Sequence, residues 1–382
     1  MAQHRLTDSR YSQTDSRHVY HGPITETGPS SSSYFSGFDL DEMVTSLGSS
    51  SAANQRRAAR SQGKLLGEPD CEHQEDGRPT WGSSLGPVLS CLGCVVGTGN
   101  IWRFPRIVAN NASHGGGLAF LLVWILFLLL WSVPMVTIEY ATGRYTRRAV
   151  VGSFTQLIGP RAAWCGVWIC LVSFLIGCYY SVILGWCFYY VIYCASHELP
   201  TQPEEGLRIF QDFAMESNWP VLTTAAAVTL ACLFVIRGVK TIEKVCLVLV
   251  PVLLLILTLT FVWVLTRPSS ALGLAFLFKP NWGALSEPGL WIDALTQNAF
   301  DTGAGAGLLL PYASYMTRRH GIVRYATLIP AANNLISLVA GMTIFSAVFS
   351  AMVVLKPHFT QAEIVAVLTD SGPGNTGFTF VW

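Results

Sequence analysis

The sequence predicts an all-α polytopic membrane protein with about seven complete spans and the start of an eighth, two of the spans being broken midway. Three observations carry this. Only 12% of the 382 residues are charged, against roughly 25% in a soluble domain, and mean hydropathy is +0.42. Apolar runs recur that are long enough to cross ~30 Å of hydrocarbon. Two of those runs carry clusters of glycine together with polar residues at membrane depth, which an unbroken helix in lipid does not accommodate cheaply.

Residues 1–80 are rich in Ser, Gln, Arg, Asp and Gly and show no apolar periodicity, so they read as a disordered tail. The membrane part occupies residues 81–382. The first apolar segment begins near Leu85 and contains Gly93-Cys94-Val95-Val96-Gly97-Thr98-Gly99-Asn100-Ile101-Trp102-Arg103-Phe104-Pro105. Glycine loosens a helix, and Pro105 cannot donate to the ladder. In hydrocarbon an opened backbone survives only around a cavity or ligand, so this span reads as broken, with bare carbonyls and amides turned to solute. The alternative is an inert kink whose glycines only let a neighbouring helix approach. Asn100 and Arg103 favour the functional reading, because polar groups at that depth are costly.

Residues 118–138 form a second span, ending in Glu139-Tyr140-Ala141-Thr142-Gly143-Arg144. A third covers residues 163–195, a fourth 221–236 and a fifth 245–265. A sixth, residues 291–316, is broken again, and a seventh lies within 326–355. Basic residues cluster after span two (Arg144, Arg147, Arg148, Arg161), span four (Arg237, Lys240, Lys244) and span six (Arg318, Arg319, Arg324). The positive-inside rule puts those loops and the N-terminus in the cytoplasm. The protein is thus expected to be multi-pass in the lipid bilayer, with the plasma membrane as its location.

The second break is Gln297-Asn298-Ala299-Phe300-Asp301-Thr302-Gly303-Ala304-Gly305-Ala306-Gly307. An Asp near mid-span costs about 2.5–3.5 kcal/mol on insertion scales, so Asp301 must face a cavity, a cation or a partner such as Arg103. Net charge is +1, which makes no electrostatic case for nucleic acid. Most of the ten cysteines lie in apolar spans, where Cys behaves as a small hydrophobe. The Cys91/Cys94 pair lacks the second pair that a metal site needs. His114 and His320 sit in loops, and there are no paired catalytic carboxylates, so an enzyme is not expected. No feature of the sequence sets an oligomeric state.

Gly99-Asn100-Ile101-Trp102-Arg103-Phe104-Pro105 resembles the first-helix signature of the neurotransmitter:sodium symporter family, which includes the bacterial leucine transporter. Two broken spans in corresponding positions also match that family's inverted repeat, for which it is itself the standard example. The resemblance implies a sodium-coupled carrier working by alternating access, with chain truncation after the seventh span. It implies a first Na⁺ site at the Val95 carbonyl, Asn100, Asp301 and Asn333. A second Na⁺ site would take the carbonyls of Gly93 and Val96, its other ligands lying in the incomplete eighth span. An amino acid would bind through Val95, Gly97, the amides of Thr98 and Gly99, and Tyr180. Its side chain would point toward Ile176, Phe300, Gly303 and Ala306. Arg103 is implied as an outer gate; Arg78, Trp81 and Tyr315 as an inner one. The family's monoamine carriers have Asp where this chain has Gly97, which implies a substrate with its own carboxylate, and the small Gly303 and Ala306 leave room for a large apolar or aromatic side chain. Asp301 stands where many members have Ser or Thr, and Trp124 where many have a chloride-binding Tyr, so chloride is expected not to be required. Gln297 and Ser337 remain at the other chloride-site positions. A binding or regulatory relative that does not transport is the rival reading.

Overall fold

In the computed structural model, the chain divides into units Met1–Glu68 and Pro69–Trp382. The structure describes residues 80–369 apart from 84, 113–114, 201–202 and 318–319. The tail, Arg78, His114, Arg318, Arg319 and the start of the eighth span therefore lie outside the described residues.

The first span is α1 (Gly86–Val95), a turn of wider helix at Gly99–Arg103, and α2 (Phe104–Asn111). Pro87 and Pro105 sit at helix starts, where a missing N–H is harmless. The second span is α3 (Leu118–Phe127) and α4 (Val133–Thr146), joined through a π-helical turn at Leu128–Ser132. After the short α5 (Val150–Leu157) comes α6 (Ala163–Ser196), the third span. Then follow α7 (Pro203–Gln211), α8 (Trp219–Val235), α9 (Val239–Leu265) and α10 (Ser270–Leu277). The sixth span is α11 (Pro288–Thr302) and α12 (Leu309–Ala313), and the seventh is α13 (Ile322–Leu355), followed by α14 (Gln361–Thr369).

Four of these pass as membrane spans by length and composition alone: Leu118–Thr146, Pro160–Ser196, Val239–Leu265 and Ile322–Leu355. A fifth, Trp219–Val235, does so together with the helix before it, at a bend of 77°. The first and sixth spans are interrupted, so neither contains one continuous helix of membrane-crossing length. The fifth span starts at Val239 rather than near Val245, since Lys240, Glu243 and Lys244 are good helix formers that carry α9 beyond its apolar part.

Two buried clusters flank the breaks. One gathers Phe104, Phe120, Trp124, Phe276, Phe345 and Phe349, where α2, α3, α10 and α13 meet. The other gathers Trp81, Leu92, Tyr140, Leu309 and Met316, joining α1, α4 and α12. Gly143 sets the approach of α4 to the sixth span: a Cβ there would lie 2.2 Å from the Leu310 carbonyl oxygen. Any larger residue would force those helices apart.

Candidate functional site

The first break follows from one side chain. The Gly97 amide would close a helical turn on the Gly93 carbonyl, four residues back. Instead it donates to Asn100 Oδ1 at 2.7 Å. Asn100 is 1% exposed, and its Nδ2 donates at 2.8 Å to both Asn333 Oδ1 and Ser337 Oγ on α13. Ser337 in turn donates to Asp301 Oδ2 at 3.2 Å. Asn100 therefore bonds Asn333 directly and reaches Asp301 through Ser337, joining three residues expected to share one site.

The second break has a steric origin. Gly303, Gly305 and Gly307 have φ of 64°, 92° and 68°, a region that side chains disfavour. Alternating glycine with alanine lets the chain turn there three times between α11 and α12. The amides this frees are collected by Glu139 of α4. Its Oε1 accepts from Gly305 at 2.8 Å and Gly307 at 3.2 Å, and its Oε2 from Leu309 at 3.2 Å. An opened backbone in lipid needs such a partner.

The two breaks face each other. A Cβ on Gly99 would come within 2.9 Å of Asp301 Oδ1 and 3.2 Å of the Phe300 ring. Between the breaks and α6 lies a cavity of about 270 Å³. Val95, Gly97, Gly99, Ile176, Tyr180, Phe300, Asp301, Gly303 and Ala306 line it, all expected from the sequence. Thr98 does not line it, but its side chain hydrogen-bonds the Tyr180 hydroxyl. Cys94, Ser173, Gly177, Ala299 and Leu308 complete the wall and were not expected. A Cβ at Gly97 or at Gly177 would meet nothing within 4 Å, so both face open space.

The oxygens around Asp301 suit a hard cation. Asp301 is 2% exposed and its Oδ1 accepts no hydrogen bond. A buried carboxylate oxygen left bare is costly, and a set of carboxylate, amide and carbonyl oxygens is what Na⁺-like ions take. The Val95 carbonyl, at the end of α1, belongs to the same opened turn. Val96 follows with an extended ψ of 117°. The Arg103 charge acts on Asp301, but Arg103 has other partners too. Its Nη1 donates to Gln297 Oε1 at 2.7 Å and its guanidinium lies 4.4 Å from the Phe300 ring centroid. Trp124 is 1% exposed, tilted against Phe104 at 4.5 Å, and its carbonyl accepts from Asn298 Nδ2.

Ahead of α1, Trp81 is 4% exposed and stacks on Tyr312 at 6.0 Å. It meets Tyr315 edge-on at 6.3 Å and donates Nε1 to the Tyr312 carbonyl at 3.2 Å. Trp81 and Tyr315 are thus brought together as expected, with Tyr312 added. The segment is held further by Glu243 of α9, which accepts from the Gly82 amide at 3.1 Å and from Ser83 Oγ at 2.8 Å.

Comparison with known proteins bears on this arrangement. The family model described as "Sodium:neurotransmitter symporter family" matches residues 78–206 and 207–381. An uncharacterized sodium-dependent transporter of Methanocaldococcus jannaschii is 31% identical over 277 residues, covering 70% of this chain and 55% of that protein. The inactive sodium-dependent neutral amino acid transporter B(0)AT3 of Homo sapiens is 30% identical over 323 residues, covering 77% and 51%. The crystal structure of MhsT in complex with L-phenylalanine superposes with a TM-score of 0.66 at 31% identity, covering 80% of this chain and 69% of that one. The chain spans about half the length of the curated relatives it matches. With broken first and sixth spans closing on one cavity, and a family model matching most of its length, the chain belongs to the sodium:neurotransmitter symporter family.

Proposed function

We propose that this chain carries the central binding site of a sodium-coupled amino-acid symporter that works by alternating access and does not require chloride. The observation that carries the reading is the facing pair of backbone breaks around Asp301, whose Oδ1 lacks a hydrogen-bond partner. The first Na⁺ is held by the Val95 carbonyl, Asn100, Asp301 and Asn333. The carbonyls of Gly93 and Val96 contribute to a second. The substrate carboxylate meets the Gly99 and Thr98 amides and the Tyr180 hydroxyl. Its side chain runs past Ile176 and Phe300 toward Gly303 and Ala306. Sodium and carboxylate share one site, so each raises the other's affinity, and that coupling is reciprocal.

A large apolar or aromatic side chain fits the lining, which is mostly Val, Ile, Phe, Ala, Leu and Gly. MhsT was crystallised with L-phenylalanine, and the B(0)AT3 relatives are named for neutral amino acids. Gly97 supports a substrate that brings its own carboxylate, because no acidic side chain stands at that position. Chloride independence is supported by the buried Asp301 carboxylate, beside which the side chains of Ser337 and Gln297 lie. One relative, from Rattus norvegicus, is named a sodium- and chloride-dependent transporter, so the chloride test below bears directly on the reading. Arg103 over Phe300 acts as the outer gate, and Trp81 with Tyr315 as the inner one, together with Arg78. The Arg- and Lys-bearing loops and the N-terminus face the cytoplasm of the plasma membrane.

A second reading, binding without transport, is favoured by the name of the human relative, which is called inactive. Radiolabelled amino-acid uptake into vesicles under an inward Na⁺ gradient, measured beside equilibrium binding, separates the two. Uptake that collapses with the gradient supports symport. Saturable binding with no uptake supports the second reading, and neither would refute both.

A further inference from the structure

A single file of asparagine side chains crosses the interior between the two breaks and the second span. The Gly97 amide donates to Asn100 Oδ1 at 2.7 Å, and Asn100 Nδ2 donates to Asn333 Oδ1 at 2.8 Å. Asn333 Nδ2 donates to Asn334 Oδ1 at 3.5 Å, and Asn334 Nδ2 to Asn298 Oδ1 at 3.0 Å. Asn298 Nδ2 then donates to the Trp124 carbonyl. Asparagines of the first, seventh and sixth spans are thus joined head to tail, and none of the four is more than 4% exposed.

The two ends of the file fix its middle. A backbone N–H only donates and a backbone carbonyl only accepts, whereas an asparagine amide accepts through oxygen and donates through nitrogen. Gly97 therefore requires the oxygen of Asn100, which leaves the Asn100 nitrogen for Asn333. Trp124 requires the nitrogen of Asn298, which leaves the Asn298 oxygen for Asn334. From either end, every amide takes the same orientation, and none can turn over without losing a bond on both sides. Amides aligned in this way also polarise one another. The halves meet at the Asn333–Asn334 step, the longest and weakest of the file.

An amide oxygen has two lone pairs, so the Asn100 and Asn333 oxygens can each accept within the file and still meet a cation. Resting on the reading that Asn100 and Asn333 hold Na⁺, we propose that Asn298 and Asn334 are positioning residues that hold those two oxygens in their accepting orientation before the ion arrives. Neither belongs to the expected ligand set. Without them the Asn333 nitrogen loses its acceptor, and the amide can turn its N–H groups toward the ion, which they repel.

The test reads Na⁺ binding with no amino acid present. The purified full chain in lipid nanodiscs is titrated with Na⁺ against K⁺ at constant ionic strength, and the unfolding midpoint reports the half-saturating Na⁺ concentration. Asn298→Ala and Asn334→Ala should each raise that concentration about three- to tenfold, the worth of one net hydrogen bond. Ser132 touches Asn298 Oδ1 at 3.5 Å from outside the file, so Ser132→Ala should leave the concentration within about twofold. A merely structural role would lower the midpoint in K⁺ and leave the half-saturating Na⁺ unchanged in both asparagine variants, and that result would overturn the assignment. A second measurement needs no variant and decides the matter should these not fold. In the unaltered chain with isotope-labelled asparagine, the side-chain N–H protons of the buried asparagines should already resist exchange with heavy water in K⁺ alone. Protection that arises only with Na⁺ would mean that the ion orients the amides, which also overturns the assignment. Absence of any Na⁺ effect on the unaltered chain would instead remove the sodium reading, and this assignment with it.

Discussion

Glu139 accepts a hydrogen bond from the Gly305 amide at 2.8 Å, across 166 residues of chain, and from there holds the opened sixth span. The same carboxylate also accepts from Gly307 and Leu309, so one side chain replaces a stretch of missing helical ladder. Glu139→Gln puts an N–H where an acceptor is needed. Loss of a buried charged acceptor should lower stability by about 2–4 kcal/mol. Thermal unfolding of the purified protein in detergent reads this directly, and an unchanged midpoint would show that the opened segment is held by other means.

Gly177 controls cavity width without a packing role, because a Cβ there would meet nothing within 4 Å. Gly177→Leu should leave folding intact, since it fills open space and raises helix propensity. It should weaken phenylalanine binding by roughly tenfold or more, the usual scale for overpacking an apolar site, and spare alanine. Equal losses for both amino acids would contradict the placement of the side chain against α6.

Chloride separates two electrostatic designs. With Asp301 providing a fixed negative charge and Trp124 lacking a ring hydroxyl, replacing chloride by gluconate should leave substrate binding unchanged. Asp301→Ser should make binding depend on chloride. A gluconate-sensitive unaltered chain would mean that the Asp301 carboxylate does not take the anion's place.

His320 predicts an acid-side loss of stability in the loop before α13. Burial holds its imidazole below the ordinary value near 6.5; contact with the Thr317 backbone opposes this, and the Arg144 charge adds to it. Arg144 also donates to the His320 carbonyl at 2.7 Å, and Tyr325 packs against the ring at 5.7 Å. A folded value below the unfolded one means that the unfolded chain binds the proton more tightly. Stability from this group is therefore complete above about pH 6.5 and falls as pH drops from there toward the lowered folded value. Unfolding midpoints measured across that range should fall, and His320→Gln should flatten the change. A midpoint independent of pH would remove His320 from the account.

Both breaks were legible because their signals are local. Glycine clusters within apolar runs, with Asn100, Arg103 and Asp301 at depth, conflict with an unbroken helix wherever it packs. Ile176 and Tyr180 were legible through the family resemblance, yet Ser173 and Gly177 share their helical face and could have been found by extending that stripe toward the N-terminal end of α6. Glu139 carried a weaker signal, an acidic residue at the end of an apolar run, which reads equally well as the start of a charged loop. Its actual partners are backbone amides of the sixth span, and no local pattern encodes such a contact. Trp81 on Tyr312, and Glu243 on Gly82 and Ser83, were hidden for the same reason. They join segments far apart in sequence.

The central claim is that Na⁺ and an amino acid share the site built by Asn100, Asp301 and Asn333. Equilibrium binding of tritiated phenylalanine to the purified full chain, titrated with Na⁺ and with K⁺ or choline at constant ionic strength, tests it most directly. The account predicts saturable binding in Na⁺, none in K⁺ or choline, and its loss in Asn100→Ala. Binding of equal strength in choline, or full Na⁺-dependent binding in Asn100→Ala, would contradict it.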